Sequence, residues 1–202
     1  MIEPGLRDWK NSTPVDVRQW LEGAEVAWWI AGGWALDLFS GQCTRKHADM
    51  DVGCFREDLD EIRTVLQQWA VYSAHEGRLT RLGPTEAPAQ EVHSLWCRPE
   101  KARQWWLELM LDEREGENWV FRRSPEIRRP AHELVERDVD GTPYLRPEVQ
   151  LLYKAKNRRS RDDGDFQVTL PRLSDTAKHW LRDALSRCEP RHPWLAKLDR
   201  AV

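Results

Sequence analysis

Two aspartates one residue apart, Asp49 and Asp51, are the groups in this chain best placed to do chemistry. In an extended strand, residues i and i+2 point to one face about 6.6 Å apart, so both carboxylates share a face while Met50 and Val52 turn into apolar packing. Like charges held that close are unfavourable unless a cation or a proton lies between them, and hard oxygen ligands on a rigid strand suit Mg2+. The spacing also suits two solvated aspartates at a strand mouth, and what precedes them carries the decision. Ile30-Ala31-Gly32-Gly33 ahead of a helical start forms a turn that side chains would block, one whose backbone N–H groups at a helix N-terminus suit phosphate oxygens. A lone Gly-Gly is an ordinary strand-to-helix turn; followed by Thr44-Arg45-Lys46-His47-Ala48-Asp49-Met50-Asp51, it becomes specific. Arg45 and Lys46 either neutralise phosphate charge or form a solvated basic turn. His47 reads as a hydrogen-bonding brace for the aspartate strand, because no second His or Cys stands at ligand spacing.

Gly32-Gly33-Trp34-Ala35-Leu36-Asp37 together with residues 44–51 resembles the signature of antibiotic nucleotidyltransferases, above all the aminoglycoside 2''-nucleotidyltransferase family. Lincosamide nucleotidyltransferases are relatives in the same polymerase-β-like superfamily. The resemblance covers residues 28–55 and is general elsewhere. It implies transfer of a nucleoside monophosphate from a triphosphate, ATP foremost, to a hydroxyl of a small molecule, with pyrophosphate leaving. It further implies two Mg2+ ions, metal-binding Asp49 and Asp51, a third carboxylate from a later strand, and a nucleotide cradle of Gly32, Gly33, Thr44, Arg45 and Lys46.

The third carboxylate is sought on a strand over 105–113, where Glu108, Met110 and Asp112 share one face and Leu107, Leu109 and Leu111 the other. Glu108 sits mid-run, where an unpaired carboxylate is expensive, whereas Asp112 and Glu113 approach the turn at 115–118 and can be solvated. This favours Glu108 as metal ligand, general base or both, with Asp112 in reserve. Lincosamide relatives carry a Leu-Asp-Ile-like stretch here, so Leu107-Glu108-Leu109 departs by one methylene. Metal coordination acidifies the acceptor hydroxyl, so Glu108 needs no large pKa shift to act as base. Of Trp105 and Trp106, one ring is expected on the apolar face and the other on the functional face.

Pro147 opens a helix over 147–156 with a cationic end, from which Lys154 or Lys156 either reaches the triphosphate or complements the helix dipole. Lys154 followed by Asp162, Asp163 and Asp165 resembles a layout of the superfamily in which such a lysine contacts the nucleotide; Asp162 and Asp165 read as caps and salt-bridge partners.

The elements that must hold these groups follow from pattern. A helix begins at Ser12-Thr13-Pro14 and carries Val15, Val17, Trp20 and Leu21. A strand over 26–31 and a short helix from Trp34 precede the aspartates. A helix over 58–70 follows, and strands are expected over 71–74, 91–97, 105–113 and 119–122, the last pair a hairpin. The class is α+β, a mixed nucleotidyltransferase sheet flanked by helices, with a nucleotidyltransferase domain over 1–140 and a helical C-terminal region over 141–202. Pro130, Asp140-Gly141, Pro143 and Pro147 punctuate the transition, and Ser174 caps a helix bearing Ala177, Trp180, Leu181, Ala184 and Leu185. The loop 83–89 lies between strands and is a candidate border of the acceptor site.

With 31 lysines and arginines against 34 aspartates and glutamates, net charge −3, the chain is too balanced for a general nucleic-acid binder. Arg122-Arg123, Arg128-Arg129 and 158–161 read as solvated basic faces. The acids Asp112, Glu113, Glu115 and Glu117 suit a cationic acceptor such as an aminoglycoside, or simply an acidic hairpin tip. Cys43, Cys54, Cys97 and Cys188 show no scaffold spacing and read as free thiols; no run is long enough to span a membrane, and Met1-Ile2-Glu3-Pro4-Gly5 lacks a signal-peptide pattern, so a cytoplasmic location is expected. Twelve tryptophans suit core packing, with Trp34 a candidate to stack on a base or acceptor ring. Two alternatives stand beside the small-molecule transferase: a transferase acting on protein or RNA, and a noncatalytic nucleotide-binding module.

Overall fold

The computed structural model describes residues 4–201. Met1, Ile2 and Glu3, on which the leader reading partly rests, lie outside the described residues.

Helix α1 (Pro14–Trp20) starts where Thr13 predicts: Asp16 N–H donates to Thr13 Oγ1 at 3.3 Å, and Thr13 N–H donates back to Asp16 Oδ2 at 2.7 Å, a closed capping box. Val17 and Leu21 enter the core, while Val15 is 61% exposed. Strand β1 (Trp28–Ile30) runs straight into α2 (Gly32–Ser40), so the paired glycines are the first two residues of the helix rather than a turn before it. Strand β2 (Asp51–Phe55) follows, then a single 3-10 turn and α3 (Leu59–Val65). The helical spacing over 58–70 overruns the helix: Trp69 opens strand β3 (Trp69–His75). There Trp69-Ala70-Val71-Tyr72, rich in residues that fit a pleated surface, pairs antiparallel with β5 (Ser94–Pro99), and tertiary pairing overrides the local period. β4 (Arg78–Arg81), absent from the sequence-based expectation, closes a hairpin with β3.

β6 (Leu107–Glu115) buries Leu107, Leu109 and Leu111 and forms the expected hairpin with β7 (Asn118–Val120). The stretch read as punctuation holds three further short strands, β8 (Arg128–Pro130), β9 (Val135–Arg137) and β10 (Pro143–Leu145). β10 lies parallel beside β1, one strand in from the edge strand β9. A three-residue strand opening with proline is too short to show a period, which is why pattern reading passed over it.

The sheet order is β4-β3-β5-β6-β2-β1-β10-β9, with β7 and β8 continuing from the far half of β6. The pairings are mixed, and the architecture is the expected α+β class, a mixed sheet flanked by helices. Helices α4 (Pro147–Ala155), α5 (Ser160–Thr169), α6 (Asp175–Cys188) and α7 (Leu195–Leu198) follow, α4 packing on α2, α5 and α6. Ser174 caps α6, its Oγ accepting from Ala177 N–H at 3.2 Å. No helix among the described residues is long and apolar enough to cross a membrane.

Candidate active site

Strand register brings the predicted carboxylates together. β2 and β6 are parallel neighbours in which Asp51 stands opposite Glu108, and Glu108 N–H donates to Met50 O at 2.8 Å. Asp49 lies in a bend just before β2 rather than on the strand, yet it lines the same cleft of about 420 Å3 as Asp51 and Glu108. Burial raises the Asp51 carboxyl well above its usual range, and the Glu108 and Asp49 charges raise it further against Lys154 and Arg161. Glu108 is raised by burial and by Asp49, while an accepted hydrogen bond from Ser94 Oγ at 2.6 Å opposes the shift.

The glycines set the distance between α2 and these groups. Gly32 has φ +64°, and a Cβ there would lie 1.9 Å from Asp51 Oδ2; one on Gly33 would lie 2.4 Å from the His47 ring. The Gly32 N–H is not turned toward a phosphate: it donates to the buried Gln150 Oε1 of α4 at 2.7 Å.

Asp37, buried on α2, organises the loop before Asp49. Its Oδ1 accepts from Thr44 N–H at 3.1 Å and from Thr44 Oγ1 at 2.5 Å, and its Oδ2 meets His47 Nε2 at 2.5 Å. His47 is thus the brace expected of it. The Trp34 ring packs against the His47 ring at a 36° tilt, centroids 4.6 Å apart. Cys43 closes on this pair, so the fold supplies the cysteine neighbour that linear spacing did not show. Among the described residues, Asp37, Cys43 and His47 alone bring three potential ligand atoms within 4.8 Å of one another, and the Asp49–Asp51–Glu108 set is more open. Thr44 and Lys46 stand outside the cleft lining, whereas Arg45 lies in it.

The α4–α5 side carries interlocked ion pairs. Arg45 Nε and Nη2 donate to Asp165 at 2.8 and 3.0 Å, Lys154 Nζ lies 2.9 Å from Asp165 and 3.5 Å from Asp162, and Arg159 Nε lies 2.9 Å from Asp162. Burial alone would raise Asp165, but the Arg45 hydrogen bonds and the Lys154 charge outweigh it and hold the carboxyl low. Asp162 and Asp165 are therefore the cap and salt-bridge partners that were expected.

Asp112 differs from expectation: it is buried, not solvated, because Trp119 from β7 and Tyr153 from α4 cover it. Trp119 Nε1 donates to it at 3.1 Å, and so does the Tyr153 hydroxyl. Neither Trp105 nor Trp106 reaches the cleft. The hairpin acids are engaged, Glu113 by Arg56 at 2.8 Å and Glu115 by Arg128 at 2.7 Å. Gln150, Tyr153, Arg122 and Arg123 line the cleft without having been singled out for it. Polar residues amid the apolar positions of α4 were the available signal for the first two; nothing in Arg122-Arg123 distinguished them from a solvated pair.

Comparison with known proteins places this geometry. The fold is similar to the crystal structure of ANT(2'')-Ia in complex with adenylyl-2''-tobramycin, at 13% identity over 86% of this chain and 97% of that one, with TM-score 0.56. It is likewise similar to the lincomycin-bound lincosamide antibiotic adenylyltransferase LnuA, at 16% identity over 79% of this chain and 98% of that one, with TM-score 0.54. No curated protein sequence matches significantly. The sequence profile of the aminoglycoside-2''-adenylyltransferases matches residues 15–127, a span holding the glycine pair, both aspartates and Glu108, and the chain belongs to that family of nucleotidyltransferases.

Proposed function

We propose that this enzyme transfers a nucleoside monophosphate, AMP from ATP foremost, to a hydroxyl of a small molecule. The observation that carries the reading is the register of Asp51 against Glu108 with Asp49 on the same cleft. Burial and neighbouring carboxylate charge raise the proton affinity of Asp51 and Glu108, which with Asp49 form a donor set for a hard divalent cation, and the three would hold Mg2+. Bound there, a pair of Mg2+ ions would neutralise triphosphate charge and acidify the acceptor hydroxyl.

Glu108, held by Ser94, is the general base that takes the acceptor proton. The acceptor oxygen forms a bond to the α-phosphorus as the bond to the bridging oxygen breaks, and pyrophosphate carries away the electron pair. Lys154 and Arg45, already fixed by Asp165, face the triphosphate, which makes the helical region after residue 140 the second half of the nucleotide site. Gly32 and Gly33 serve it by allowing close approach rather than by donating from Gly32 N–H.

The test is pyrophosphate release with Mg2+, each of the four nucleoside triphosphates and a panel of hydroxylated acceptors. Acceptor-dependent release that Asp51→Asn abolishes supports the reading; release that survives Asp51→Asn overturns it.

A further inference from the structure

The segment between α2 and the aspartates folds back on itself. Gly41, at φ +68°, ends α2 in a left-handed turn: its N–H donates to Leu38 O and the Gln42 N–H to Asp37 O, both at 3.2 Å. The chain after it returns across α2 and sets Thr44 and His47 over Asp37. Three groups of different chemistry meet there. One ligand atom each from Asp37, Cys43 and His47 lies within 4.8 Å of the other two, and none of these residues lines the carboxylate cleft.

Each group is aimed by contacts that leave its ligand atom facing the centre. Asp37 Oδ1 accepts both bonds from Thr44, which leaves Oδ2 for the centre. The His47 ring is backed by Trp34 and by Gly33, where an added Cβ would lie 2.4 Å from Nδ1, so Nε2 is the nitrogen turned inward. The Cys43 thiol donates to Arg45 O at 3.2 Å. Asp37 and His47 are buried and Cys43 is exposed, so the cluster opens to solvent on its sulfur side. We propose that Asp37, Cys43 and His47 form a second metal site, for the thiophilic divalent ion Zn2+, separate from the Mg2+ carboxylates. One thiolate, one imidazole and one carboxylate with a fourth place open to water make a tetrahedral Zn2+ donor set, and a poor one for Mg2+, which takes oxygen ligands in octahedral array. On binding, the thiol proton and the proton held between Nε2 and Oδ2 leave to solvent and three bonds to the metal replace them; no group is oxidised or reduced. Zn2+ ligands stand about 3.3 to 3.8 Å apart, so His47 and Asp37 part by about 1 Å, which the irregular loop bearing His47 can supply. Occupied, the site ties the 41–47 loop to α2, and with it Arg45, which lines the cleft. No cleft carboxylate takes part, so the site stands or falls apart from the transferase reading.

The test is calorimetric titration of Zn2+ into the reduced full chain with Mg2+ in excess, beside Co2+ absorption spectra. Wild type should bind one Zn2+ that Mg2+ does not displace, and Co2+ in its place should show thiolate charge-transfer and tetrahedral ligand-field bands. Cys43→Ser, a change at an exposed position that spares the fold, should weaken Zn2+ binding about 100-fold and abolish the charge-transfer band, and His47→Gln should weaken it to a similar degree. Asp51→Asn and Glu108→Gln, which remove no ligand of this site, should keep Zn2+ affinity within about threefold. Zn2+ should also slow cleavage within 42–47 under limited proteolysis in wild type and leave it unchanged in Cys43→Ser. Absence of Zn2+ binding, affinity unchanged by Cys43→Ser, or a site lost with Asp51→Asn overturns the proposal.

Discussion

Two regions of the sheet bury polar groups by opposite means. At the edge formed by β3, β5 and the chain before β6, six of the twelve tryptophans gather: Trp9, Trp20, Trp69, Trp96, Trp105 and Trp106, with ring centroids 4.8 to 5.5 Å apart. The charge buried among them, Arg98, is 2% exposed and spends its Nη1 on the carbonyls of Glu100 at 2.7 Å and Ala102 at 3.0 Å. On the central strands, Asp51 and Glu108 share a register position, and neither makes an ion pair among the described residues. One region is arranged for stability and the other stores unfavourable charge that a ligand can relieve. Side chains in the two regions should therefore fail in different ways when changed.

The sharpest separation comes from Asp51→Asn. Nucleotidyl transfer should fall about 10^4-fold, about 5.5 kcal/mol in transition-state terms, while the melting temperature holds or rises because a buried repulsion is removed. Steady-state kinetics beside thermal melts check this, and a variant that loses activity only by unfolding would break the comparison. The converse is Trp105→Ala, which removes a ring 1% exposed and edge-on to Tyr72 and Trp96. About 4 kcal/mol of unfolding free energy should go, with kcat of the folded fraction nearly unchanged, as denaturant titration and active-site-normalised rates would show. A smaller effect follows at Asp37, which touches no reacting group. Asp37→Asn should lower kcat about 10- to 100-fold by freeing Thr44 and His47, and should raise susceptibility to cleavage within 42–49 under limited proteolysis.

The smallest effect is a pH dependence at Asp112. Burial raises this carboxyl above its ordinary 3.8, so the folded protein holds the proton more tightly than the unfolded chain. The contribution is complete below the unfolded value and is lost as pH rises through the folded one. Against Asp112→Asn, wild type should therefore lose relative stability as pH rises from about 4 toward neutrality. An unchanged gap between the two melting curves would show that Tyr153 and Trp119 already offset the burial.

Groups whose chemistry is tied to a fixed spacing were legible before any coordinates. Asp49, Asp51 and the glycines sit in one short segment, and the alternation of Leu107, Leu109 and Leu111 was enough to turn Glu108 toward the same cleft. What stayed hidden depends on contacts between distant segments. Asp37 looks like any helical acid until Thr44 and His47 fold back onto it. Asp112 looked solvated until Tyr153 arrived from α4. Strand β10 has three residues and joins the sheet only because β1 offers it a free edge. Arg122 and Arg123 resembled a surface pair until α4 brought Tyr153 beneath them.

The contact at Gly32 reaches beyond this one site. Since a single added carbon there would claim the volume of Asp51 Oδ2, the helix and the strand keep their separation by means of an atom that is missing. Gly32→Ala thus offers an inactive form of the protein in which charge, ligands and base are all retained and only occupancy has changed. It is a control that distinguishes what the carboxylates do from where they are allowed to be.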